Sequence, residues 1–402
     1  VAAGSVAHGF WFELPGKPHG PSFSNHRCPR SDPLGEFLNN TVHSNRAMGL
    51  RLYPGYEPFV DGCAHSATKA AYFRDLVSFR NGGNGAFCKK CGDVHFVRPS
   101  LIENGGHGIS VIGFKMPMHS DPNVKDALMV SRRNVEHGTR GGFALFAPQN
   151  EHFLVDGLMA VNWAQGGVLA GCNQCDSDKS LKQGAYTVRF RNLAFVNSTQ
   201  RTQWTEPRKQ IFWDLDGSLT GHVNGTVTPF YAFNNHSACP RGNAMFDHGT
   251  VCDGTERVRR LLLDGFEPRE MDWKTMVLQT SAGSDSIKFR PKEHYGWVAP
   301  VVTNKDVNVT FSTLTDWRKQ HLRYSTPSYV EAGEWLRLRF PYRDSRWQVP
   351  ATHRGAPVMW RNTSAPAITD PIGTGWNDVN TSAWSVILNT VGVAPPPAEY
   401  EE

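Results

Sequence analysis

The sequence predicts an all-β protein, with a parallel β-helix over residues 1–254 and a smaller antiparallel, sandwich-like β-domain over 255–393. Three observations lead there. Few windows keep apolar residues at i, i+3, i+4 and i+7 for three turns, so helix signals are nearly absent. Short apolar runs broken by Gly, Asn, Asp and Pro recur along the whole chain. Finally, "LVSFRNGGNGAF" (76–87) superposes on "SLIENGGHGISV" (100–111), with Asn81 over Asn104, Gly82 over Gly105, Gly83 over Gly106 and Gly85 over Gly108.

That repeat, 23 residues long, suits one turn of a parallel β-helix. A single rung cannot bury its own apolar face, so rungs must stack. Taken in order, "FLNNTVHSNRAMGLRLY" (37–53) has the same strand, Asn bend, Gly and strand. "DALMVSRRNVEHGTRGGFALFA" (126–147) and "YTVRFRNLAFVNSTQ" (186–200) follow it more loosely. Asn at equivalent corners is expected to bond to the Asn above and below while itself taking the left-handed turn. From residue 255 the echo stops. "TMVLQTSA", "YGWVAPVV", "VNVTFSTL", "EWLRLRFPY", "APVMWRN" and "SAWSVILN" read as alternating strands of the second domain. "VAPPPAEYEE" at the end reads as the start of a linker, over 394–402, and the absence of an initiator Met suggests a piece of a longer protein.

Composition narrows the function classes. A chain of 402 residues is too long for one small core. The formal charge of +5 is modest and spread out, and the Arg257, Arg259 and Arg260 cluster beside three leucines reads as a strand with a solvated face rather than a nucleic-acid stripe. No apolar run approaches the ~18–20 residues of a membrane span, so neither nucleic acid nor membrane contact is expected of this stretch. Eight cysteines and seven Asn-x-Ser/Thr sequons, at Asn39, Asn197, Asn224, Asn235, Asn308, Asn362 and Asn380, point to an oxidising, glycosylating compartment. Chance alone would give about three sequons.

Four blocks carry a family resemblance: "HGFWFELPGKPHGPS" (8–22), "DPLGEFLNNTVHSN" (32–45), "DLDGSLTGH" (214–222) and "GTVCDGTERVRRLLLDGF" (249–266). In this order they resemble the fibrocystin-L family and, more distantly, fibrocystin and the cell-surface hyaluronidases of the cell-migration-inducing and transmembrane-protein-2 type. The resemblance implies a right-handed parallel β-helix from a large extracellular, membrane-anchored glycoprotein with a further β-domain after it. It implies a structural or adhesive role at a cell surface such as that of a cilium or flagellum. Other extracellular proteins or copies of the same chain are the expected partners, with carbohydrate as a further candidate. The rival function is hyaluronan or polysaccharide degradation. The family residues proposed for it lie mainly before this stretch and are not carried over.

The candidate chemistry is thin. "DLDGSLTGH" looks like an aspartyl-phosphate motif, but no α/β alternation surrounds it. As a calcium loop it places Gly225 where the chelating Glu belongs. A tight acidic turn needs nothing further; a non-standard Ca²⁺ site at Asp214 and Asp216 is the one metal candidate, and no cofactor is required. Cys88/Cys91 and Cys172/Cys175 read as local disulfides rather than a shared zinc site. Cys28 with Cys63 and Cys239 with Cys252 are the expected longer pairs, among 105 arithmetical patterns for eight cysteines. Trp11, Phe12, Trp163, Trp204, Trp213 and Trp297 are weighed as a sugar-stacking surface against ordinary packing. His43, His107 and His137 read as solvated corner residues, and no Ser/His/Asp set, HExxH or phosphate loop appears.

Overall fold

A computed structural model describes residues 1–114, 121–131, 142–148, 153–163, 167–171, 187–205, 209–265, 275–288, 296–311, 322–325 and 335–341, and short strands between 352 and 389. The chain forms two units, Val1–Val227 with Gly242–His248, and Thr228–Arg241 with Gly249–Glu402. The sequence placed the break after residue 254.

The first unit is a parallel β-helix. Its rungs are β1 (Ala2–Ala3) and β2 (Phe10–Glu13); β3 (Phe37–Leu38), β4 (Thr41–His43) and β5 (Leu50–Tyr53); β6 (Ala71–Arg74), β7 (Val77–Phe79) and β8 (Ala86–Cys91); β9 (Val94–Val97), β10 (Ser100–Ile102) and β11 (Ile109–Phe114). Then come β12 (Val124–Val130) with β13 (Leu145–Ala147), β14 (Leu154–Val161) with β15 (Leu169–Gly171), and β16 (Thr187–Val196) with β17 (Thr202–Gln203). Strand β18 (Ile211–Asp214) starts the last turn and folds back into β19 (Gly225–Thr228) as an antiparallel hairpin. One face stacks β2-β5-β8-β11-β13-β15-β17; a second stacks β1-β4-β7-β10-β12-β14-β16; a third stacks β3-β6-β9 and joins the second at β12. The start of β12 pairs with β9 and its end with β10, so one long strand serves two faces. Left-handed residues bend β12, β14 and β16 at Asp126, Gly157 and Asn192, where Asn39, Asp75 and Arg98 separate two strands in earlier rungs.

Side chains of one parity fill the interior, as the period-2 pattern requires. Phe37, Phe73 and Phe96 stack in register, with ring centroids 4.9 and 5.8 Å apart. The predicted Asn ladder is present: the Asn45 side-chain amide donates to Asn81 Oδ1 at 2.8 Å, and that of Asn81 to Asn104 Oδ1 at 2.9 Å. One detail is corrected. The left-handed residue is not the Asn but the one before it, Ser44, Arg80 and Glu103. That residue turns the chain so that the following Asn side chain enters the stack, where the Asn81 and Asn104 carbonyls also accept the backbone amide of the Asn one rung earlier.

The spacing of ladder partners is 36 residues from Asn45 to Asn81, 23 from Asn81 to Asn104, and 35 from Trp163 to Ser198. The 23-residue period is thus the shortest rung, and insertions at corners lengthen the others. The rung of β14 and β15 carries no Asn-Gly corner and escaped the sequence reading. Its Trp163 stands where the Asn ladder would continue, with its amide donating to Ser198 Oγ at 3.2 Å.

In the second unit, β20 (Thr250–Cys252) is followed by β21 (Val258–Gly265), β22 (Thr275–Thr280), β23 (Gly283–Lys288), β24 (Gly296–Val302), β25 (Lys305–Phe311), β26 (Leu322–Ser325) and β27 (Trp335–Pro341). Short strands β28 (Thr352–His353), β29 (Ala356–Pro357) and β30 (Trp360–Arg361) precede β31 (Gly375–Asp378) and β32 (Ala383–Asn389). A three-stranded sheet β24-β21-β26 and a seven-stranded sheet β23-β22-β25-β27-β32-β31-β30 share a core of Leu261, Trp297 and Val301 from one and Met276, Val309 and Leu338 from the other. The sheet is mixed rather than purely antiparallel, since β25–β27 and β30–β31 are parallel. Between β25 and β27 the chain crosses to the other sheet as β26, and so returns in its original direction. The arginine cluster also needs correction. Arg259 and Arg260 lie on the predicted strand but are only 6% and 7% exposed, because β21 is the central strand of its sheet.

Candidate functional site

The acidic loop closes the β-helix. Strand β18 pairs with only the first part of β16, Thr187–Phe190. Beyond that point the loop does the work of a further strand: the Asn192 amide donates to Asp216 Oδ2 at 2.7 Å and the Leu193 amide to Ser218 Oγ at 3.0 Å. Leu219 is fully buried beneath it, and Arg201 holds the Leu219 carbonyl while its guanidinium lies 4.8 Å from the centre of the Phe195 ring.

Asp214 shapes this loop from inside. Its Oδ1 accepts the Gly217 amide at 3.1 Å; its Oδ2 accepts the Leu219 and Thr220 amides at 3.0 and 2.7 Å and the Thr220 hydroxyl at 2.8 Å. Burial pushes its carboxyl above the ordinary range, the Thr220 donors pull it back, and neighbouring Asp216 adds to the rise. Burial pushes Asp216 the same way but is outweighed by the Ser218 hydroxyl and the amides of Asn192 and Ser218, leaving its carboxyl below the usual range. These donors bear on calcium. A Ca²⁺ site presents six to eight oxygens to the ion, whereas here N–H and O–H groups point at both Asp214 oxygens and at Asp216. The donor set does not fit calcium, and among the described residues no three His, Cys, Asp or Glu side chains gather to hold a metal.

Cysteines Cys28 and Cys63, Cys88 and Cys91, and Cys239 and Cys252 are joined as disulfides. Cys88 therefore has a partner three residues away, not a zinc ion; Cys172 and Cys175 lie outside the described residues. Asn39, Asn197, Asn235 and Asn308 are exposed and Asn224 is half-buried, while Asn362 and Asn380 lie outside the described residues.

The histidines are less solvated than their glycine neighbours suggested. His43 stacks on Phe79 at 4.6 Å. His107 stacks on Phe146 at 4.9 Å, accepts the Phe143 amide at 2.9 Å through Nδ1, and burial lowers its pKa to about 4. His137 lies outside the described residues. Sequence reasoning missed His95, which is buried with Nε2 2.5 Å from Asp93 Oδ1 and Nδ1 2.9 Å from the Pro122 carbonyl. Both nitrogens are thus engaged by oxygens of the protein itself.

The six aromatic candidates do not form one surface. Trp297 and Trp163 are buried, Trp163 donating to the Met129 carbonyl at 3.1 Å, and Trp204 Nε1 donates to the Phe246 carbonyl. Trp11 is the exposed one, at 49%. It belongs to a patch the sequence did not announce: the Arg51 guanidinium lies 5.3 Å from the Trp11 ring centre and 4.4 Å from that of Tyr53, with Lys89 Nζ 5.2 Å from Tyr53. Parallel pairing of β2, β5 and β8 collects these residues from three rungs, which no local motif could show.

Among the described residues no helix is long and apolar enough to cross a membrane. The family model for the CEMIP beta-helix matches residues 1–50. Human fibrocystin-L is 27% identical over 328 residues, 77% of this chain and 8% of that protein. Mouse fibrocystin is 23% identical over 302 residues, 73% of this chain and 7% of its own length. Human cell surface hyaluronidase CEMIP2 is 28% identical over 169 residues, 35% of this chain and 12% of that protein. The chain therefore spans between 7% and 12% of the length of these relatives. In sequence the chain is similar to fibrocystin-L, and its parallel β-helix agrees with the CEMIP beta-helix model that matches its first rungs.

Proposed function

We propose that this chain is a structural or adhesive module in the extracellular part of a large cell-surface glycoprotein, of the kind that coats a cilium or flagellum. The observation that carries the reading is the pairing of three disulfides with four exposed sequon asparagines, Asn39, Asn197, Asn235 and Asn308. Both features belong to the oxidising secretory route. Other extracellular proteins and further copies of the chain are its partners. A mass-spectrometric map of the protein secreted from eukaryotic cells tests the compartment: sugars at these asparagines are expected, while free thiols with bare sequons would overturn it. Labelling the parent protein in ciliated cells tests the location.

A second reading is favoured by one observation. Trp11, Arg51, Tyr53 and Lys89 combine aromatic faces with cations, which suits a sugar chain bearing carboxylates. Among the relatives is a human cell migration-inducing and hyaluronan-binding protein. Incubation with high-molecular-weight hyaluronan separates the readings. Depolymerisation would sink the structural one, and retention without cleavage that is lost in Arg51→Ala would establish carbohydrate binding.

A further inference from the structure

The face made by β4, β7, β10 and the later parts of β12, β14 and β16 buries Val42, Leu101, Met129 and Ala160 on its inner side. Alternate residues must therefore point outward. One outward column begins at His43 and continues as Phe79, Ile102, Val130, Val161 and Val196, stacked rung on rung. Met159 lies in the neighbouring column. Met159 and Val196 are 46% and 44% exposed. A solvated sheet face is ordinarily polar. With strands ~4.8 Å apart and a rise of ~3.3 Å per residue, the apolar residues of this column together with Val77, Leu128, Met159 and Ala194 present about 300 Å², the size of the largest apolar patch on many monomers and often a functional one.

The left-handed corner residues form a rim on either side, and at two levels the rims carry opposite charge. At the rung of β7 the rims hold Asp75 and Arg80; at the rung of β10 they hold Arg98 and Glu103. Within one chain these charges are already fixed: Arg98 bonds Asp75 at 2.8 and 2.7 Å, and Arg80 bonds Glu103 at 2.9 Å. Consider two copies face to face about a two-fold axis parallel to the stack. Each rim then meets the opposite rim at the same level, so Asp75 of each copy faces Arg80 of the other and Arg98 faces Glu103. Each isologous contact is satisfied twice. Asn39 and Asn197 lie at opposite ends of the face and on opposite rims, so sugars there leave the middle rungs open.

We infer that this apolar face pairs with the same face of a second copy, parallel and in register. The pairing rests on the structural reading above and names its partner. Sedimentation velocity on the 402-residue chain tests it. A dimer that dissociates on dilution is expected, and Val130→Asp with Met159→Asp should weaken association by about 100-fold or more. Both side chains point away from the core, so circular dichroism and melting should stay unchanged. Register is read by mixing a Leu128→Cys chain with a Val130→Cys chain, which should cross-link on oxidation, whereas Ser100→Cys with Val196→Cys should not. A chain monomeric at every concentration overturns the proposal, as does one that dimerises equally well with both aspartates. So does a monomer that floats with phosphatidylcholine liposomes through this face. If the double aspartate variant unfolds, the cross-linking pairs decide. A monomer that leaves hyaluronan intact and carries glycans would sink the pairing alone and keep the structural role.

Discussion

At the residue scale, Asp214 is the test of what the acidic loop is for. Removing its carboxylate strands the amides of Gly217, Leu219 and Thr220 under a buried leucine. Unsatisfied buried donors cost about 1–3 kcal/mol each, and breaking such a charged network costs about 3–5 kcal/mol in all. Asp214→Ala should lose that much in urea unfolding, whereas Asp216→Ala, in the more exposed part of the loop, should lose about 1–2 kcal/mol. Calcium should leave the melting temperature of the unmodified protein unchanged; a rise abolished in Asp214→Asn would show that the loop holds a metal after all. His107 gives a separate expectation for pH. Its folded pKa, about 4, lies below the unfolded value of 6.5, so the unfolded chain binds the proton more readily between these values. Its contribution to stability is therefore complete above about pH 6.5 and declines as the pH falls to about 4. Asn84, at the equivalent corner one rung away, accepts the His107 amide through Oδ1. His107→Asn should keep that style of corner and flatten the melting temperature over this pH window.

At the element scale, the corner ladder fixes the register of the stack. Asn81 is buried and receives and donates in the same column, to Asn45 on one side and Asn104 on the other. Asn81→Leu should cost about 2–4 kcal/mol in equilibrium unfolding by removing the acceptor of the Asn45 backbone and side-chain amides and one donor to Asn104. A Cβ on Gly105 would sit 2.6 Å from the Gly82 carbonyl oxygen, so Gly105→Val should prevent the two rungs from closing and yield insoluble protein on expression. These corners explain what could be read beforehand. The paired Asn-Gly-Gly blocks at 81 and 104 announced a β-helix because ladder and glycine demands coincide there. The rung of β14 and β15 did not, because Trp163 and Ser198 make the same backbone contact with side chains of another kind. The role of Asp216 was equally hidden, since its acceptor function depends on Asn192 and on where β18 stops. The buried arginines of β21 were misread for the same reason: solvation depends on whether a strand is central, which no window of sequence contains.

At the scale of the whole molecule, disulfides and stacking act on different parts. The Cys28–Cys63 bridge closes a 35-residue separation that includes β3, β4 and β5 and so ties excursions of neighbouring rungs together. Replacing both cysteines by serine should lower stability by about 3–4 kcal/mol, seen as a lower urea midpoint with the same sheet signal in circular dichroism. A mechanical consequence follows from the ladders between rungs. Their hydrogen bonds run along the direction of stacking, so a pull on the chain along that direction opens them one rung at a time, like a zip, instead of shearing many at once. Rungs of 23 to 36 residues would release ~80–120 Å of slack each, while the residues locked between Cys28 and Cys63 would yield none. A surface protein built this way lengthens in metered steps under tension, and its shock absorption is set by the lengths of its corner insertions.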